Sequence, residues 1–286
     1  MPLDKRNFDK ATGADMKVIL SRKGFDSSNG GIVSPIMEDG TLISFPIPSD
    51  DRDHFEDLVY CGDSYAKILQ DLNYKEDPQY PNCHVDPDLT LTRRKTKIEG
   101  WCPIFGQVSS SANYLMKTVK VEVGDLFLFF GNYHKVRCFD GKYQYIKKTG
   151  DFYSDNDLQA IWGYMQIGSI LQNPEDQKKY SWHPHAVGEF IEQKSNVMFI
   201  ASEKLSFAPN MPGAGILNFR EDRVLTAKNC NKATWVKRSV YDVDSIVGSR
   251  KNSSKIADGI YYAGIWQELG LKETVECEEW AKSIVE

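Results

Sequence analysis

Apolar positions along the chain fall into short β-type runs more often than into helical stripes. Residues 17–20 (KVIL) are apolar and β-branched and predict a strand. Two further runs, 32–37 and 42–47, flank Glu38-Asp39-Gly40-Thr41, and Asp-Gly between apolar runs predicts a hairpin. The most hydrophobic stretch is 119–131, VKVEVGDLFLFFG; Gly124-Asp125 supplies a tight turn and 126–130 a buried strand. Gly141-Lys142 predicts a second hairpin in a polar, Tyr-rich segment, ahead of another apolar strand at 160–170. Residues 196–202 (NVMFIAS) predict a further strand, with edge strands at 224–226 and 235–236. Helical spacing occurs at 60–72, where Tyr65, Ile68, Leu69 and Leu72 share a face behind Asp63 or Ser64 as N-cap. It recurs at 276–284, with Trp280 and Ile284 at i, i+4.

This pattern predicts an α+β fold: a strongly curved, mainly antiparallel β-sheet or barrel-like core, with a few helices packed outside. Residues 1–15 are polar and predict a mobile N-terminal extension, so the domain is expected over 16–286. Two sub-domains meeting near residue 172 are the alternative. At 286 residues either arrangement can bury a substantial core.

Composition narrows the function. Against 40 Asp and Glu stand 35 Lys and Arg, a formal charge of −5, which argues against a non-specific polyanion binder. The six cysteines show no CxxC and no paired spacing. Reduced thiols in a cytoplasmic protein are expected, with neither a zinc site nor a disulfide framework. No apolar run approaches the ~20 residues that span a membrane, and the N-terminus lacks an apolar signal core. No metal, cofactor or protein partner is assigned.

Candidate chemistry begins in the loop after the first strand, because a polar loop on a rigid strand end is a common mount for reactive groups. Arg22 and Lys23 are suited to a phosphate or carboxylate. Gly30 and Gly31 permit positive φ and a close approach of backbone N–H groups, beside Ser27 and Ser28. Asp26 is the loop's carboxylate and can act as base, nucleophile or metal ligand. A simple turn explains the same residues equally well.

In Asn82-Cys83-His84-Val85-Asp86-Pro87-Asp88, alternate residues of an extended chain share a side. His84, Asp86 and Asp88 can therefore converge to share a proton or bind a hard metal, although Asp-Pro also opens turns. Gln107, ahead of three serines, is a candidate base or ribose contact. In SWHPHAVGEF, His183 and His185 are the best acid/base candidates, with Trp182 beside them as a binding group. H-x-H can also ligate a metal, but no third ligand lies at a recognised spacing. Cations around Trp235 suit a phosphate backbone or a stacked base, or simply a solvated sheet face.

Several stretches carry a resemblance. LSRKGFDSSNGGIVSPI, HVDPDL, FGQVSSSANYL, VGDLFLFFG, WHPH, NVMFIAS, GAGILNF with VLTAKN, and Gln267-Glu268 recur in order from residue 16 onward. In these the chain resembles a bacterial and phage family, the third nucleotide-modification-associated domain. The Gly-Asp turn, apolar strand, polar excursion and second apolar strand also resemble small PUA, ASCH and EVE barrels, which read nucleobases. The family resemblance implies a setting, nucleotide or DNA-base modification in conflict between phage and bacterium, without a reaction or assigned catalytic residues. The first expectation is an enzyme with a nucleotide or DNA base as ligand, performing group-transfer (transferase) or glycosidic chemistry. In it Arg22 and Lys23 hold phosphate, Asp26 is base or nucleophile, His183 or His185 is acid/base, and Gln107 reads base or sugar. The alternatives are a PUA-like reader with a pocket of Trp101, Trp162 and Trp182, and a metal-dependent nuclease using Asp86, Asp88 and Asp26.

Overall fold

The computed structural model describes residues 16–250 and 259–286; the expected extension, 1–15, lies outside the described residues. The strands that place the site are β1 Val18–Arg22, β2 Ser34–Ile36, β3 Ile47–Ser49, β4 Asn82–His84, β5 Ile104–Gln107 and β6 Leu126–Phe139. They continue with β7 Lys142–Tyr145, β8 Leu158–Leu171, β9 Val197–Ala201, β10 Ala214–Ile216 and β11 Glu268–Gly270. The main helices are α1 Tyr65–Asp71, α2 Ser109–Asn113 and α3 Val275–Val285. The fold is mixed α+β.

Nine strands form one sheet, ordered β11-β1-β6-β8-β9-β5, with β10 added on β8 and β2 and β7 added on β6. It is a mixed sheet: β1 and β2 run parallel to β6, and the other ladders are antiparallel. Strands from both sides of residue 172 pair within it, since β9 and β10 both hydrogen-bond to β8.

The expected barrel does not close. β11 and β5 end the strand order and share no backbone ladder. Side chains bridge them instead: Gln107 of β5 donates through Nε2 to Glu268 Oε1 of β11. The sheet therefore curves far enough for its outer strands to meet at one polar contact. Its concave packing is aromatic. Phe105, Phe127, Phe129 and Phe199 are fully buried, with ring centroids 4.9–5.9 Å apart. Burying each such ring stabilises the fold by roughly 1.5–3 kcal/mol.

Local sequence explains the elements. Ser64 caps α1, its Oγ accepting from Lys67 N at 3.2 Å, while Tyr65, Ile68 and Leu69 face the core. The Gly124-Asp125 turn is held by Asp125, whose carboxylate accepts the N–H of Lys17 at 3.0 Å and of Glu122 at 2.7 Å. That ties the start of β1 to the start of β6. The Asp39-Gly40 turn forms, with Ile36 bridged to Leu42, but 42–47 does not become the second arm of a hairpin. Instead β3 pairs with β4, and that pairing brings the chain of Asp51 beside His84. Trp235 is neither a surface stacking platform nor part of a solvated face. It is fully buried, stacks on Tyr262 at 4.8 Å and donates to Gln159 Oε1 at 2.6 Å.

Candidate functional site

One cluster gathers residues from three separate parts of the chain. β4 ends at His84, and two residues on the Asp86-Pro87 peptide is cis. The Asp86 side chain is only 3 % exposed. Its Oδ1 accepts the N–H of Gly106, in β5, at 2.6 Å. β5 is held in turn by β9, with Gly106 opposite Met198. From the third part come His183, which begins the short 3-10 turn Pro184–Ala186, and His185 within it. His183 Nε2 lies 3.4 Å from Asp86 Oδ1, and His185 Nε2 lies 3.9 Å from Asp86 Oδ2. His84, Asp86 and His185 each offer one ligand-type atom, all within 4.8 Å of one another. The His84 and His185 rings are 5.2 Å apart, and Phe190 covers both at 5.1 and 4.5 Å.

Hydrogen bonds fix which ring nitrogen carries each proton. Asn196 Nδ2 faces two acceptors, the carbonyl of His185 at 2.7 Å and Gln177 Oε1 at 3.1 Å. Gln177 is itself oriented by donating to the carbonyls of Leu171 and Asn196. Asn196 Oδ1 must therefore accept, and its donor is His185 Nδ1–H at 3.0 Å. His84 Nδ1–H likewise donates to Asp51 Oδ2 at 2.6 Å. In both rings Nδ1 is thereby taken up, and Nε2 is the nitrogen left to face another partner. His183 is the opposite tautomer: its Nδ1 accepts the N–H of His185 at 3.3 Å, which puts the proton on Nε2, toward Asp86.

Electrostatics agree. Burial would raise the Asp86 carboxyl, but the histidine and lysine side chains around it, His183 first, outweigh it and hold it ionised, well below the usual carboxylate range. Burial drives His185 down to about 3, so its ring is neutral. At Asp51 the hydrogen bond and charge of His84 likewise outweigh burial and lower the carboxyl.

Other candidates are committed to other partners, although Asp88 lines the same cavity as Asp86 and Trp182 lies against the His183 ring at 5.6 Å. Asp88 ion-pairs with Arg94 at 2.8 Å and accepts from Trp101 Nε1 at 3.0 Å, while Arg94 also binds Asp53 at 2.8 Å. The expected alternation of His84, Asp86 and Asp88 on one side thus ends at Asp86. Asp26 is taken up by its own loop and by Arg22. Its Oδ1 accepts the N–H groups of Ser28 and Asn29 at 2.8 Å each, and its Oδ2 pairs with Arg22 Nη1 at 2.8 Å. Ser27, Ser28 and Gly31 are exposed on that turn. Gly30, at φ +86°, lies against the Phe25 ring. Lys23 ion-pairs with Glu268 at 3.7 Å and covers the Phe105 ring at 4.4 Å. Gln107 contacts Glu268, and its Oε1 accepts from Val108 N at 3.1 Å. Trp182 is half-buried beside Trp101, centroids 6.4 Å apart. Sequence reasoning missed Asp51 and Asn196. The only signal for Asn196 was an amide heading an apolar strand.

A cavity reaches the cluster. Asp86 lines it together with Gly24, Ser44, Tyr65, Arg93 and Trp162. The Tyr65 hydroxyl and the Trp162 indole N–H are buried there without a hydrogen-bond partner among the described residues.

Gly106 is required by the ring above it. A Cβ there would lie 2.2 Å from His185 Cγ and 2.4 Å from Cδ2. Gly106→Ala is expected to destabilise the fold by about 1–3 kcal/mol through overpacking. The urea midpoint measures it, and an unchanged midpoint would mean the ring is free to swing aside.

The fold and cluster define a mixed α+β protein with a covered carboxylate–imidazole centre at the end of a cavity. The family model of nucleotide modification associated domain 3 matches residues 17–266, and the chain belongs to that family. That membership ties it to nucleotide modification. No curated protein and no solved structure gives a match. No helix among the described residues is long and apolar enough to cross a membrane.

Proposed function

We propose that the protein is an enzyme that modifies a nucleotide or DNA base, with Asp86 and its three histidines as the reacting centre. The observation that carries this reading is a covered, ionised carboxylate at the end of a cavity, faced by three imidazoles. A purely structural carboxylate is normally paired with Arg or Lys, as Asp88 is with Arg94. The cavity at Asp86 measures about 40 Å³, but Tyr65, Leu89, Thr90, Arg93 and Ile216 line both it and an adjoining cleft of about 700 Å³, which has room for a heteroaromatic, polar ligand. Tyr65 and Trp162 offer unpaired donors to a base edge or sugar hydroxyl, and Arg93 adds a charge for phosphate. Family membership supports a nucleotide as substrate class. Group transfer or glycosidic cleavage is the chemistry such a centre serves best.

The roles first drawn from the sequence divide. His183 and His185 stay at the centre of the proposal. Lys23, Arg22 and Asp26 serve it from outside the cavity, since each already has an ionic partner.

The test is mass spectrometry of nucleotides and DNA incubated with the protein. A new mass is expected, and Asp86→Asn should lower its rate by at least about 100-fold while the circular dichroism melt is kept. Tight binding of modified DNA with no new mass would replace the enzyme with a reader.

A further inference from the structure

From the convergence of ligand-type atoms we infer a metal site: His84 Nε2, His185 Nε2 and Asp86 Oδ2 bind one divalent first-row transition ion. This extends the proposed enzyme centre to what it holds, and rests on that reading only for the ion's use in catalysis.

Asp86 Oδ1 is satisfied by Gly106 N–H and faced by His183 Nε2. Oδ2 faces His185 Nε2, whose proton is on the other nitrogen because Asn196 Oδ1 requires it there. His84 likewise commits Nδ1 to Asp51, so that Nε2 is the nitrogen it can offer a ligand. One ligand-type atom from each of His84, Asp86 and His185 therefore lies within 4.8 Å of the other two. Two imidazoles and a carboxylate converging in a covered site make a donor set suited to one shared cation.

The dimensions suit an ion. Imidazole nitrogen and carboxylate oxygen bind such metals at about 2.0–2.2 Å, so the 3.9 Å separation of His185 Nε2 and Asp86 Oδ2 places one ion between them. The outer contacts also suit one. Metal-bound imidazoles commonly donate their other N–H to a carboxylate or carbonyl oxygen, as His84 does to Asp51 and His185 does to the Asn196 amide oxygen. Asp86 and Asp51 together offset a double positive charge, and the Lys23 ammonium is paired with Glu268. Two imidazoles and one carboxylate select iron, manganese, cobalt, nickel or zinc over magnesium or calcium, which prefer all-oxygen sites.

The experiment uses tag-free full-length protein. Elemental analysis of the purified chain should find a near-stoichiometric transition ion. After chelation, added Co(II) should restore visible d–d bands, and both signals should vanish in His84→Ala. Asp51→Ala should weaken Co(II) binding by about 10–100-fold, because it releases the His84 ring without removing a ligand. If His84→Ala does not fold, Asp86→Asn, which keeps the side chain's shape, replaces it. Folded wild-type protein with no ion and no Co(II) bands would overturn the inference, as would unchanged Co(II) affinity in a folded His84→Ala. Bound metal without any nucleotide product would instead remove the enzyme reading and leave the ion. Product lost in Asp86→Asn from a metal-free wild type would do the reverse.

Discussion

Glu268→Ala should destabilise the protein by about 3–5 kcal/mol, because it strips the carboxylate from a buried charge network. Glu268 is fully buried in β11. Around it lie Lys23 Nζ at 3.7 Å, Arg250 Nη1 at 3.5 Å and the Gln107 amide. Arg250 also donates to the Glu268 carbonyl at 2.6 Å, a bond that the substitution keeps. Lys23 would lose its ion pair and keep the Phe105 ring. The same side chain bridges the two outermost strands, so its loss also releases the gap where the sheet stops short of closing. Glu268→Gln keeps that bridge and loses only the charge, so it should cost less than Glu268→Ala. Urea denaturation with an unchanged slope measures both. If Glu268→Ala costs under about 1 kcal/mol, the two cations find other partners and the network is not what joins the edges.

How much of this was legible in the sequence depends on the range of the interaction. The strands at 126–130, 160–170 and 196–202 were, because runs such as LFLFF and NVMFIA are buried on both faces and carry their own signal. Their true lengths were not. β6 continues through Asn132, His134 and Lys135 to Phe139, since β8 and β2 pair it as far as Lys135 and β7 carries it on from Val136. Ser64 as the cap of α1 was legible, being a local contact.

The centre was only half legible. His84, Asp86 and His185 are all unusual residues in their segments, but roughly a hundred positions separate the first pair from the third. The β4, β5 and β9 pairings that bring them together leave no trace in spacing. Asp88 shows the limit from the other side. It has the same alternation as Asp86, yet the backbone bridge between Asp88 and Ile104 turns it toward Arg94.

That separation gives the second large effect. Arg94→Met should cost about 3–5 kcal/mol at neutral pH, because one guanidinium serves both Asp88 and Asp53. Arg94 and Asp88 are 6 % and 4 % exposed, so water does little to replace the lost partner. The cost should depend on pH, and its sign follows from Asp88. Burial already raises that carboxyl above its ordinary value, with Arg94 the main force pulling it back. Removing Arg94 raises it further. A carboxyl whose folded pKa lies above its unfolded one favours folding in acid and opposes it once pH climbs through the folded pKa. The deficit of Arg94→Met against wild type should therefore shrink as pH falls toward 4 and be largest near 7. Urea midpoints across that range check it. A deficit that is flat or grows in acid would mean that Asp88 is not the stranded charge. Asp88 would then be free to join the chemistry at Asp86 rather than anchor the loop that carries it.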